Sequence, residues 1–147
     1  MRRRTFFKAF FQVCLLFVFL TIILFRQTVF EGKIPFQANM LVSFFAPWNT
    51  VKFPGWEHGV PFKPMGFDNL NLFYPYRTLT NILFSQSQFP LWNPYNFSGN
   101  VLMANLQSAV WYPLSIVYAF VSQIDAWTIL VLVQPILAGL FTYLLLR

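Results

Sequence analysis

The sequence predicts an all-α membrane protein: two transmembrane helices joined by a long outer loop that carries juxtamembrane helices. Three observations predict it. A charge-free apolar run lies near each end, the segment between them is rich in proline, asparagine and aromatics, and charged residues make up only 10% of the 147 residues. Soluble globular chains carry about 25%.

The chain opens with a basic tail, residues 1–8, holding Arg2, Arg3, Arg4 and Lys8. The first span is then expected over residues 9–25, from Ala9 to Phe25. At about 1.5 Å per residue it covers roughly 25 Å, slightly less than a hydrocarbon core of about 30 Å. Phe6 and Phe7, with Lys8 and Arg26 snorkelling, extend it. A cleaved signal peptide shares the basic start, but the run is longer than a usual signal core and RQTVFEG offers no small-x-small cleavage site. A retained signal anchor is the better reading. The basic residues before the run, against the lone Arg26 just after it, place the N-terminus in the cytoplasm and the middle segment outside.

The second span is expected over residues 126–146, Ala126 to Leu146, between Asp125 and Arg147. At about 31 Å it can cross, and Pro135 is expected to kink it. Residues 26–125 form the extracytoplasmic loop. Its stretch from Gln27 to Asp125 holds nine of the ten prolines, all nine asparagines and four of the five tryptophans. Disordered segments are poor in aromatics and rich in charge, so this loop must fold against something apolar. Two helices are expected in it. Near residues 76–86, Pro75 is a first-turn residue and Tyr76, Leu79 and Leu83 share a stripe. Near residues 113–121, Pro113 starts a second segment that is apolar all round and too short to span.

The formal net charge is +6, yet four of the ten basic residues sit in the first eight positions, and none are interleaved with aromatics as an RNA platform needs. Nucleic acid is therefore not an expected partner; membrane lipids are. Cys14 is the only cysteine and lies in the first apolar run, which excludes an intrachain disulfide and favours a packing role. His58 is the only histidine.

From Phe89 to Leu114 there is no charge at all. Pro90, Pro94 and Gly99 break any long helix, and Asn93, Asn96, Asn100, Asn105 and Gln107 supply polar groups that hydrocarbon leaves unsatisfied. A structured loop at the membrane surface fits, with Trp92, Tyr95, Phe97, Trp111 and Tyr112 at the headgroup level. The runs PLWNPYNFSG from Pro90 and ANLQSAVWYPL from Ala104 resemble the signature of the YfhO-type family of large bacterial membrane proteins. The resemblance extends upstream to GKIPF at Gly32, FFAPW at Phe44 and GVPFKPMGFDNLNLFYPYR at Gly59. Members of that family are relatives of the GT-C glycosyltransferases, which take a sugar from a polyprenyl-phosphate carrier at the outer face of the membrane. They are much longer, with many spans.

The resemblance thus implies that the chain is the N-terminal part of a GT-C-like fold in the bacterial cytoplasmic (inner) membrane. It also implies juxtamembrane helices in the first outer loop, a polyprenyl-phosphate sugar donor, and an envelope polymer or lipid as acceptor. Glycosyl transfer of this kind needs a base for the acceptor hydroxyl and stabilisation of the departing phosphate, from cations or from a divalent metal such as Mg or Mn. Glu31 and Asp125 read as interface markers beside the spans, and Glu57 as a solvated turn residue. Asp68 stands where the family pattern has an acidic residue, which implies a catalytic base or metal ligand; as residues alone, it equally fits an Asx-turn. Lys63 and Arg77 flank it as ligands for a lipid phosphate, or as surface cations near anionic headgroups.

Trp92, Asn93, Asn105 and Gln107 are candidates to stack on and hydrogen-bond a sugar, or else build a rigid turn. Asn39 departs from the pattern, because similar sequences often have aspartate there and an amide cannot act as a base. That departure favours a competing expectation, a non-enzymatic transporter or scaffold in envelope biogenesis.

Overall fold

The computed structural model describes residues 2–50 and 67–147. Glu57, His58 and Lys63 lie outside the described residues. The described chain forms two compact units, residues 1–35 with 124–147, and residues 36–123.

The first unit is built from three helices. Helix α1 spans Arg2–Leu24, α2 spans Arg26–Glu31 and, at the far end of the chain, α5 spans Gln123–Leu146. Phe25 interrupts the first two with φ −105° and ψ 32°, and Gly32 ends α2 in the left-handed conformation at φ 66°, its N–H bonded to the Gln27 carbonyl. Glycine suits this closing position because it adopts positive φ without a Cβ clash. The stretches Phe6–Leu24 and Gln123–Leu146 are long and apolar enough to cross a membrane, and only 6% of each is buried. A core helix of a soluble protein would be mostly buried, so these faces are left for a non-aqueous neighbour.

Three contacts run in opposite order along residues 6–35 and along α5, and the two that fall on α1 make it antiparallel to α5. Arg147 lies 4.2 Å over the Phe6 ring, Gly139 faces the Phe17 ring, and Trp127 Nε1 donates to the Pro35 carbonyl at 3.1 Å. Pro135 sits inside α5, and the helix continues on both sides of it.

The second unit holds the shorter helices. Helix α3 covers Asn39–Phe44, a single 3₁₀ turn covers Trp48–Thr50, and five residues wound as a π-helix, Asn69–Phe73, pass without a break into α4, Tyr74–Ser85. Pro75 occupies the first turn of α4, where its missing N–H costs nothing. Two boundaries differ from expectation. The helix near 76–86 begins two residues earlier, and its buried side chains are Tyr76 and Thr80, four apart, not the Tyr76, Leu79, Leu83 stripe. The segment from Pro113 is wound as a 3₁₀-helix, Pro113–Ala119.

The all-α expectation also needs one amendment, an antiparallel ribbon of β1 (Trp92–Asn93) and β2 (Asn100–Val101). Its turn places Phe97, Ser98 and Gly99 at φ 50°, 62° and 110°, closed by the Gly99 N–H on the Asn96 carbonyl at 2.8 Å. The Leu102 N–H on the Leu91 carbonyl at 2.9 Å extends the pairing. Leu102, Pro90 and Ser108 are wholly buried. Around that small centre the surface is strongly apolar: Leu106, Phe97 and Tyr95 are 93%, 87% and 85% exposed. Water alone does not favour such a surface.

Candidate functional site

A groove of about 760 Å³ opens between α4 and the Val110–Ala119 stretch, wholly within the second unit. Residues of α4 at helical spacing, Arg77, Thr80, Asn81 and Phe84, form one wall; the other includes Trp111, Pro113, Ser115 and Tyr118. Spacings of three, four and seven put those α4 side chains on one face.

Among the described residues Arg77 is the one charged side chain that lines this groove. Its Nη1 donates to the Ser115 hydroxyl at 2.7 Å and to the Ala109 carbonyl at 3.0 Å. The guanidinium lies 5.1 Å from the Tyr118 ring centre, a cation–π arrangement. Ala109 makes this possible by adopting φ 47°, a left-handed conformation uncommon for alanine. Its carbonyl accepts at once from Arg77, from Ser115 Oγ at 3.0 Å and from the Tyr112 N–H at 3.1 Å.

Burial pushes the Arg77 guanidinium below the usual arginine range, and the neighbouring Tyr118 and Tyr112 act in the opposite sense. Burial likewise pushes the Tyr118 phenol up, opposed by Arg77 and assisted by Tyr74. Arginine remains a cation at neutral pH regardless. Among the described residues no carboxylate pairs with it. A guanidinium has five N–H donors in a fixed fork, and Nη1 accounts for only two of them. The remaining edge is suited to a bidentate anion such as phosphate.

Thr80, which also lines the groove, is 4% exposed and has a buried hydroxyl without a partner. Nothing in the sequence distinguishes Thr80 or Ser115 from other hydroxyl residues, because what singles them out is the packing of the Ala109–Tyr118 stretch against α4.

The other candidates among the described residues do not line this groove. Asp68 is exposed, makes no side-chain capping bond and precedes the π-helical turn, nine positions before Arg77 and so roughly 13 Å of helical rise away. Asn93 is buried and accepts the Tyr95 N–H at 2.9 Å, an Asx turn. Asn105 caps the Leu106–Ser108 turn by accepting the Gln107 N–H at 3.0 Å. Its amide, with that of Asn96, also makes long contacts of 3.5 Å and 3.4 Å to the Tyr76 hydroxyl. Gln107 exposes its side chain. Trp92 lies against Gly99 and lines a separate groove of about 410 Å³ with Leu79, Leu83 and Tyr95.

Among the described residues no three His, Cys, Asp or Glu side chains are grouped for a metal ion. Asp68 contributes a single carboxylate, whereas divalent Mg and Mn are held by several oxygens. No family model, curated protein or solved structure matches the chain.

Proposed function

We propose that this chain is the N-terminal portion of a membrane glycosyltransferase that uses a polyprenyl-phosphate-linked sugar to modify a cell-envelope polymer or lipid. The observation that carries this reading is the half-buried Arg77, hydrogen-bonded through one edge, without a carboxylate partner among the described residues and facing an apolar groove. A cation held in that way favours an anion with an apolar body. α1 and α5 cross the bacterial inner membrane with the N-terminus inside, and the second unit lies at the outer surface with its aromatics among the headgroups.

In this reading Asp68 takes the proton of the acceptor hydroxyl, whose oxygen forms the new bond to the anomeric carbon. The bond from that carbon to the phosphate oxygen breaks, and polyprenyl phosphate departs with the electron pair. Arg77 holds the charge on that phosphate; Lys63 is a second cation for the same task. Trp92 and Tyr95, on their own groove, offer faces for the acceptor or the sugar.

The test uses a host deleted for the gene and complemented with wild type, Asp68→Asn or Asp68→Ala at matched membrane levels. Loss of a base typically lowers the rate by about 10²–10⁴-fold, so a defined envelope sugar disappears from the glycan mass spectrum with both variants. Unchanged glycans with either variant remove Asp68 from the chemistry. Unchanged glycans in the deletion strain itself favour the second reading, a transporter or scaffold, to which the amide at Asn39 and the four acidic residues of the whole chain lend weight.

A further inference from the structure

Three helical threonines of this chain share one habit. Thr78, Thr128 and Thr142 each donate to the carbonyl four residues back, at 3.0, 2.9 and 2.8 Å. Thr80, on the groove face of α4, does not: its hydroxyl is buried, unbonded and one helical turn from Arg77. Helical threonines readily satisfy themselves by that back-bond, and a buried hydroxyl left without one is costly. The neighbouring wall, Ile82, Phe84, Ile116 and Ala119, is apolar. The free edge of the Arg77 guanidinium and the unbonded Thr80 hydroxyl, on one face beside an apolar groove, suit a ligand with a small anionic head and a long apolar body.

We propose that Thr80 and the free edge of Arg77 together form one phosphate site, and that its occupant is a lipid ending in a phosphate whose chain lies along Ile82, Phe84 and Ile116. This rests on the reading of Arg77 as the phosphate ligand. It adds Thr80 as the second donor, Ser115 as the residue that positions the guanidinium, and the apolar wall as the reason that a lipid is bound in preference to free phosphate. The Thr80 hydroxyl donates to one phosphate oxygen while the Arg77 fork takes two others, a geometry that a neutral alcohol cannot satisfy.

The full chain, purified in detergent, is titrated with polyprenyl phosphate and followed by tryptophan fluorescence, since Trp111 lines the groove. The polyprenol of the same length and inorganic phosphate serve as comparison probes. Wild type binds the phosphate lipid, and both comparison probes at least about tenfold more weakly. Thr80→Val lowers affinity for the phosphate lipid about tenfold, as expected for one hydrogen bond to a charged group, and Thr80→Ser stays within about threefold. Without ligand, Thr80→Val melts no lower than wild type, because it removes a buried hydroxyl that has no partner. A merely structural threonine would not give that combination. Should the valine variant not fold, Thr80→Ala carries the same binding prediction.

Wild-type affinity in Thr80→Val with binding lost in Arg77→Met overturns the inference and leaves the reading of Arg77 standing. Unchanged binding in both variants removes both. Inorganic phosphate bound as tightly as the lipid overturns the assignment of a lipid occupant.

Discussion

Replacing Arg77 with methionine is expected to lower sugar transfer by about 10²–10³-fold while leaving the second unit folded. Methionine keeps the length and apolar stem of the side chain but removes the fork. A charge-assisted, bidentate contact to a departing phosphate contributes about 3–4 kcal/mol at the transition state, and each 1.4 kcal/mol is about tenfold in rate. Stability should respond much less. The variant loses the bonds to Ser115 and Ala109 and the Tyr118 contact, but it also removes a half-buried cation that no carboxylate neutralises among the described residues. Those opposing effects leave a net change of about 1 kcal/mol or less. The Ala109 carbonyl keeps Ser115 and Tyr112 as donors. Arg77→Lys retains charge without the fork and is expected to recover part of the rate, about tenfold below wild type. Transfer assays in membranes and thermal melts of the same preparations check the pair of expectations. A variant that unfolds as it loses activity would make Arg77 a structural residue.

Among the described glycines of the second unit, Gly99→Ala should destabilise by about 2–4 kcal/mol, from two separate causes. The backbone there has φ 110°, a conformation alanine adopts only under strain. A Cβ would also stand 2.5 Å from Cζ2 and 2.8 Å from Nε1 of the Trp92 ring. The causes separate in a double-mutant cycle. In a Trp92→Ala background the ring clash is gone and about 1–2 kcal/mol of backbone strain remains. Chemical denaturation in detergent, followed by near-ultraviolet circular dichroism, measures both. Equal penalties in the two backgrounds would show that the ring is not pressed on Gly99.

The two long helices were legible because their signal is local: a length without charge, bounded by basic or acidic residues, is enough to define a membrane-length helix. Pro75 marked the first turn of α4, but the start at Tyr74 and the unbroken passage from the π-helical turn were not legible from it. What buries the face of α4 was not legible either. Tyr76 and Thr80 point at a partner built from a ribbon, a capped turn and a 3₁₀-helix, and no periodicity within α4 encodes that partner. The π-helical turn at Asn69–Phe73 has no composition of its own, so the register between Asp68 and Arg77 could not be read in advance.

Asparagines that suited a sugar in the sequence are accounted for locally. Asn93 and Asn105 hold backbone N–H groups of the loop, and their residue type was a sign of turns before it was a sign of ligands. Arg77 was singled out by charge alone. The features that make it a site, Ser115, the left-handed Ala109 and the unbonded Thr80, come from contacts between segments about thirty or more residues apart, as the 3.0 Å bond from Arg77 to Ala109 illustrates.

The measurement that bears most directly on the central claim is photolabelling of the full chain in membranes with a polyprenyl phosphate that carries a photoreactive group next to the head. Adducts are expected on residues 77–85 and 110–119, the two walls of the groove, competed by unlabelled polyprenyl phosphate and absent from Arg77→Met. Competed adducts confined to other segments, or equal labelling of Arg77→Met, would contradict that claim.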